Sequence, residues 1–505
     1  MLKIDGLSHR QLAQALGRNR LPHLKRLIQN GSHHLRQLYS GIPSSTPAVQ
    51  GELFYGVKTS VPAFAFFDRR QNKKMVMLRP AAAGEVARHL EAQGRPLLRG
   101  GTSYSNIYTG GADEARYCIE TMKLRSLRQI GSSFKLFFLL ALKPFKLLRM
   151  LGYGFLEAGL ALYDLGRGVG QGKSIPQELK FVPTRVLVCI LLRELIRTRV
   201  KMDLARGVPI VHASFLGYDE QAHRRGPDSA FAHWTLKGID EAIGDIHRTA
   251  RRSQGRDYRL IIYSDHGQER ALPYAVHLGE SLEQAVQRTF GIMGNSNPIC
   301  DSPGEGRGTR VQDRRGREFL FSGAAPQGSP PKEDRDCLTS PEIQITAMGP
   351  IGHLYLPGPL SAGDKLKLAR GLIREAHIPL VLFRSGERVM ASNRHGDHDL
   401  ESRARDVLGG EHPCPEPTAA DLARTCRHPH AGDLILSGWR PDAAPLTFAM
   451  ENGAHGGPGR EEVLGFALLP QSLNIPGEMM RPAALRAAAL ALMGQGGRDA
   501  GTVDP

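Results

Sequence analysis

From residue 207 to residue 264 the chain reads as strand, helix, strand, and that order constrains its fold more than any other feature. Gly-Val-Pro-Ile-Val-His-Ala-Ser-Phe-Leu-Gly at 207–217 is a short apolar run of the kind a buried strand shows. Trp234 to Arg252 has helical spacing, and Tyr258 to Ser264 is a second buried run. A chain that alternates in this way builds an α/β sheet with helices on both faces. Residues 1–120 continue the alternation. Leu12, Leu16, Leu24 and Leu27 fall on one side of a helix predicted over Leu12 to Ile28. Gly-Ile-Pro-Ser-Ser-Thr-Pro at 41–47 is a loop, and Pro47 suits the first turn of a helix running toward Tyr55. Strand patterns return at Ile343 to Leu356 and Asp433 to Leu436. Residues 294–340 read as a long loop, 393–431 as irregular, and the tail from Gly494 as disordered. At 41% hydrophobic and 23% charged, the chain can bury a large core.

Its charge is uneven. Residues 121–206 hold 16 Lys and Arg against five acids, so +11 of the total +16 lies there. Phe134 to Leu151 is very apolar, yet it carries four cations and a central proline. A spanning helix needs about 20 mostly uncharged residues, so this is a poor transmembrane candidate. Two readings stay open: a basic amphipathic helix lying in an anionic membrane surface, or a helical insertion packed on the domain with its lysines reaching water. Val186 to Val200 carries the same ambiguity. The expected organisation is a discontinuous α/β domain over 1–120 and 207–475, a basic, apolar helical insertion over 121–206, and a C-terminal helix and tail over 476–505. With 12 Tyr, 18 Phe and 2 Trp there is little to stack on bases, so nucleic acid is not the expected partner. None of the six cysteines forms a Cys-x-x-Cys pair, which excludes a zinc ribbon and a thioredoxin motif. No signal peptide is visible, so the expected location is cytoplasmic, with a peripheral place on the membrane as the alternative. Leu2-Lys3-Ile4 is short beside the usual strand of about 5–6 residues, which leaves room for an export signal upstream of Met1.

Several separated segments carry chemistry. Ile4-Asp5-Gly6 puts an aspartate at a strand end. Ser44-Ser45-Thr46-Pro47 puts a hydroxyl at a helix start. Tyr218 to Pro227 contains Asp219 and His223, Ser264-Asp265-His266-Gly267 ends another strand, and Gly453-Ala454-His455-Gly456-Gly457 sets a histidine among small residues. Singly each has a bland reading as a turn, a cap or a solvated loop. Together, three carboxylates and three histidines are suitable ligands for two divalent ions, zinc foremost and manganese as the other candidate. Ligands at strand ends also match where α/β sheets place their sites.

The order of these motifs resembles the alkaline phosphatase superfamily, and most closely its nucleotide pyrophosphatase/phosphodiesterase branch. The resemblance covers residues 1–70, 207–290 and 445–470, and does not cover 121–206. It implies an alkaline-phosphatase-like central sheet. It implies one metal held by Asp219, His223 and His455, the other by Asp5, Asp265 and His266, with Thr46 between them as nucleophile and ligand. The implied activity is a two-metal phosphoesterase acting on phosphodiesters or phosphomonoesters through a phosphothreonine, with membrane-associated substrates among the candidates. A metal-bound threonine hydroxyl has a lowered pKa, and the second ion stabilises the leaving oxygen.

The chain departs from that branch in one place. The asparagine that holds a phosphate oxygen downstream of the nucleophile is missing from Ala63-Phe64-Ala65-Phe66-Phe67-Asp68, and Asn106 is its candidate substitute. Thr46-Pro47-Ala48-Val49 lacks the Cys/Ser-x-Pro-x-Arg motif of sulfatases. His395, His398 and His412 read as a solvated stretch, and His9, His33 and His34 as surface residues. The alternative to an enzyme is a non-catalytic membrane-associated binding protein that keeps the fold; the presence of all six ligands favours the enzyme.

Overall fold

The computed structural model describes residues 1–122, 187–293, 299–300, 343–473, 475–477 and 479–494, with single positions at 152 and 159. Its centre is a sheet built from β1 (Leu2–Ile4), β2 (His33–Tyr39), β3 (Thr102–Tyr104), β4 (Glu114–Arg116), β5 (Val211–Phe215), β6 (Ile262–Tyr263), β7 (Leu464–Pro470) and β8 (Met479–Met480), in the spatial order β8-β2-β7-β6-β1-β5-β3-β4. From β6 to β4 the neighbours run parallel, while β7 is antiparallel to both β6 and β2. The three-residue β1 sits mid-sheet, paired with β5 on one side and β6 on the other.

Alternation along the strands shows why both faces need helices. Ile262, Phe466 and Leu468 pack into one core, while their neighbours Ile261, Tyr263, Ala467 and Leu469 pack into another. The first core is roofed by helices His9–Gly17 and Pro22–Gln29, and by α2 (Arg193–Ala205) and α4 (Ala230–Arg251). The second is roofed by α1 (Thr46–Tyr55), Pro80–Gln93 and Pro482–Leu492. In α4, Leu236, Ile239, Ile243 and Ile246 form the buried stripe, each worth about 1.5–3 kcal/mol when fully buried. The expected α/β sheet with helices on both faces is what the chain forms.

A second, seven-stranded sheet holds Ile343–Met348, Ile351–Tyr355, Leu380–Ser385, Arg388–Asn393, Gly396–Asp399 and Leu434–Ser437, with Ile299–Cys300 at its edge. It is antiparallel apart from that edge.

Three expectations need correction. The single helix over Leu12 to Ile28 is two, because Pro22 starts a new helix and Asn19 takes a positive φ of 52° between them. Residues 393–431 are not irregular: they contain a strand and the helices Ala404–Leu408 and Pro415–Cys426, whose Ala419, Leu422 and Cys426 are buried. His33 and His412 are buried rather than solvated. Phe134 to Leu151, and with it the membrane-surface reading, lies outside the described residues, as does most of 121–206. The described part of that stretch includes α2, whose Ile196, Val200 and Leu204 enter the sheet core. Among the described residues no helix is long and apolar enough to cross a membrane.

Candidate active site

The sheet brings the motif residues to one end of its parallel strands. Asp5 follows β1, Asp265 and His266 follow β6, and α3 (Gly217–Arg225) follows β5 with Asp219 and His223 one turn apart on the same face. Gly6 makes the meeting possible. It sits at φ +70°, and a Cβ there would lie 2.5 Å from Asp219 Oδ1. The Asp-Gly pair is therefore a turn that lets the β1 and β5 segments touch. Ser264 Oγ accepts from the Leu7 amide at 3.0 Å and donates to His266 O at 2.7 Å, which locks the two strand ends together.

Thr46 opens α1, a helix whose ten residues are all buried. The loop before it is tied to the histidine loop. Ser44 Oγ donates to Gly457 O at 2.8 Å and accepts from Gly456 N at 3.0 Å, and Ser44 O faces His455 Nδ1 at 3.0 Å. Thr46 Oγ1 lies 3.0 Å from Asp265 Oδ2, 3.2 Å from His266 Nε2 and 3.4 Å from Asp5 Oδ1.

Two groups of potential ligand atoms result, Asp5 with Asp265 and His266, and Asp219 with His223 and His455; within each, all atoms lie within 4.8 Å of one another. In the second, His223 Nε2 is 3.4 Å from Asp219 Oδ2 and 3.1 Å from His455 Nε2. The groups adjoin, since the rings of His266 and His455 stack at 3.9 Å. All three imidazoles turn Nδ1 to an oxygen: His266 to Gly267 O at 3.0 Å, His455 to Ser44 O, and His223 to Gly453 O at 3.0 Å and Glu451 Oε2 at 2.8 Å. With the proton on Nδ1, the Nε2 lone pairs converge on the carboxylates. Two imidazole nitrogens 3.1 Å apart can share a proton or flank a metal ion, and this donor set of imidazole and carboxylate suits a divalent metal.

The electrostatics carry the same demand. Burial and the neighbouring Asp265 carboxylate push Asp5 well above the usual range. Burial opposes ionisation of Asp265 too, but His266 and Lys3 outweigh it and hold that carboxyl low. Burial likewise works against a charged His223, yet Asp219 and Glu451 raise it to about 10.

Sequence reading missed two residues here. Lys3 is fully buried, with Nζ 2.6 Å from Asp265 Oδ2 and 3.2 Å from Asp5 Oδ1. Its signal was a lysine between Leu2 and Ile4 in a strand: both neighbours face the first core, so Lys3 must face the other side. Glu451, also buried, meets His223 and accepts from Thr447 Oγ1 at 2.8 Å; only its nearness to the Gly-x-His-Gly segment hinted at it. Asn106 is held elsewhere. Its amide donates to Ser103 Oγ and meets His212 Nδ1, and its carbonyl accepts from Gln50 and Ser214, so Thr46 is not among its partners. His398 and His412 join neither ligand group.

Residues 193–303, which carry α3, β6 and the Ser-Asp-His-Gly turn, match the family described as Type I phosphodiesterase / nucleotide pyrophosphatase. The likeness to that family covers this stretch, 111 of the chain's 505 residues. No curated protein matches it. Solved structures similar to this chain include murine ectonucleotide pyrophosphatase / phosphodiesterase 5, inactive and in complex with AMP, at 11% identity over 98% of this chain and 94% of that one, TM-score 0.48. The human protein of the same name is 10% identical over 100% and 95%, TM-score 0.48. Phosphonoacetate hydrolase from Sinorhizobium meliloti, in complex with phosphonoacetate, is 12% identical over 97% and 94%, TM-score 0.46.

Proposed function

We propose that this protein hydrolyses phosphodiesters or phosphomonoesters with Thr46 as nucleophile. One divalent ion is held by Asp5, Asp265 and His266, and the other by Asp219, His223 and His455. The observation that carries this reading is the position of the Thr46 hydroxyl. It is buried at the amino end of α1, within 3.4 Å of an oxygen or nitrogen from each of Asp5, Asp265 and His266. Ions in these groups supply a lowered pKa at the hydroxyl and positive charge for the leaving oxygen.

The chain's own groups do the rest. The Thr46 hydroxyl donates toward Asp265 Oδ2, so its oxygen lone pairs are free for phosphorus. Attack forms the Oγ1–P bond as the hydroxyl proton is lost to solvent and the bond from phosphorus to the leaving oxygen breaks, that oxygen departing with the electron pair and taking up a proton from water; a second water then cleaves the phosphothreonine, which releases phosphate and restores the hydroxyl. The positive end of α1 faces the transferred group. Pro47 has no N–H, so the Thr46 and Ala48 amides are the first-turn donors available to a phosphate oxygen. Burial of all ten α1 residues and the Ser44 bonds to 456–457 fix Thr46 and His455 relative to each other.

Metal analysis joined to a screen of nitrophenyl mono- and diesters tests the reading. The expected outcome is two divalent ions per chain and ester hydrolysis that disappears on chelation and returns with zinc or manganese. A chain that binds neither ion and cleaves neither ester is instead a binding protein on the same fold.

A further inference from the structure

Lys3 is the one lysine or arginine placed by the described structure directly on these ligand carboxylates, and it touches both carboxylates of one group and not the carboxylate of the other. We propose that Lys3 is a built-in cation that makes the two metal positions unequal. The Asp5–Asp265–His266 group takes its ion more weakly than the Asp219–His223–His455 group, and keeps its shape without one. The inference rests on the two-ion reading above and adds an order of loading to it.

The argument starts from the strand. Leu2 and Ile4 face the core beneath α4, so the Lys3 side chain lies on the α1 side of the sheet, where Thr46 also lies. Strands β5 and β6 flank it, with Ser214 and Tyr263 opposite Lys3 in register, and none of its surface reaches solvent. A lysine so placed cannot reach water with its ammonium, and an unpaired buried ammonium is costly. It is met by Asp265 Oδ2 at 2.6 Å and Asp5 Oδ1 at 3.2 Å. These are the same two oxygens that lie within 3.0 and 3.4 Å of Thr46 Oγ1. Lys3 therefore occupies donor capacity on the very oxygens a metal would use, and its charge repels a divalent ion at close range.

The formal charges differ accordingly. The Asp5 group has two carboxylates and one ammonium. The Asp219 group has one carboxylate of its own and a second, Glu451, 2.8 Å behind His223. Glu451 accepts from Nδ1 and so strengthens His223 as a donor, whereas Lys3 weakens Asp265 as one. Two sites that share a phosphoryl group are thus biased in opposite directions by the residues standing behind them.

Stepwise titration of chelator-stripped protein with zinc and with manganese, against a competing chelator, tests this. Wild type, Lys3→Met and Asp219→Asn are compared, and each is also melted with and without metal. The expected result is two steps in the wild type, at least about tenfold apart. Lys3→Met tightens the weaker step by about 10–100-fold and leaves the stronger one in place. Asp219→Asn weakens the stronger step and leaves the weaker one in place. Stripped Lys3→Met melts below stripped wild type, because two buried carboxylates lose their cation, and added metal restores it. A Lys3→Met chain that folds only with metal gives the same answer. Two equal steps in the wild type, or a Lys3→Met chain with unchanged binding and unchanged metal-free melting, overturns the Lys3 inference while the two-ion reading stands. A wild type that binds no ion sinks both.

Discussion

Gly6→Ala tests the idea that the Asp5 and Asp219 segments must touch. Gly6 lies at φ +70°, and a methyl there would sit 2.5 Å from Asp219 Oδ1, 3.2 Å from Asp219 Cβ and 3.1 Å from Gln268 Nε2. Two costs add. Left-handed backbone at a non-glycine costs about 1–2 kcal/mol, and forcing a methyl into filled space costs about 1–3 kcal/mol. Gly31 separates them. It has nearly the same φ, +67°, but is exposed and has nothing within 4 Å of its would-be Cβ. Gly31→Ala should therefore lose only about 1–2 kcal/mol, and Gly6→Ala about 2–5 kcal/mol. The assay is a pair of melts in chelator followed by metal uptake. Both variants share one chain, so ranking their midpoints does not depend on a two-state transition. Gly6→Ala should melt below Gly31→Ala. It should also bind its ion at the Asp219 group at least about tenfold more weakly, because Asp219 must swing away from His223. If Gly6→Ala matches Gly31→Ala in melting and binds metal like the wild type, the contact between the two segments has no role in shaping the site.

Thr46→Ala should abolish ester hydrolysis while the chain still folds and binds metal, and Thr46→Ser should keep part of the rate; steady-state assays beside a melt read both, and near-normal turnover by the Ala variant removes Thr46 from the chemistry. Asp240, buried on α4, accepts from the His23 and Leu24 amides at 2.8 and 3.0 Å and so caps the helix Pro22–Gln29, whose own cap residue Leu21 has no acceptor. Asp240→Ala should cost about 1–3 kcal/mol in denaturant titration, with Asp240→Asn intermediate. His353, fully buried, has its pKa pushed down by burial to about 3, and its Nδ1 accepts from the Gly432 amide at 3.0 Å. The unfolded chain takes up this proton first, so the contribution is complete above about pH 6.5 and falls on acidification, by about 2 kcal/mol at pH 5. His353→Gln should flatten that acid limb, and an unchanged limb would mean that His353 takes up its proton in the folded chain as readily as in the unfolded one.

What the sequence revealed and what it hid divide along one line: whether the information is local. Asp219 and His223 are one helical turn apart, Thr46 directly precedes a helix-starting proline, and Asp265-His266 ends a buried run, so each could be read within ten residues. The alternation of Ile261, Ile262 and Tyr263 between two cores is also local, and it made the sheet legible. The helix Pro415–Cys426 was local too, but its buried Ala419, Leu422 and Cys426 are small or few, and the Pro, Arg and His around them masked the period. Other features depend on a partner far along the chain. Asp240 caps a helix more than 200 residues before it, and Glu451 supports a histidine in α3. His33 reads as a surface residue beside His34, yet its Nε2 meets Leu260 O at 3.1 Å in the interior. Lys3 stands between the two classes. Its burial follows from position alone, since a lysine between two core residues mid-strand has nowhere to go. Its meaning does not, because that depends on Asp265, which only the pairing of β1 with β6 brings within 2.6 Å. A buried lysine in a short strand is thus a reason to ask which acid, from which neighbouring strand, will meet it.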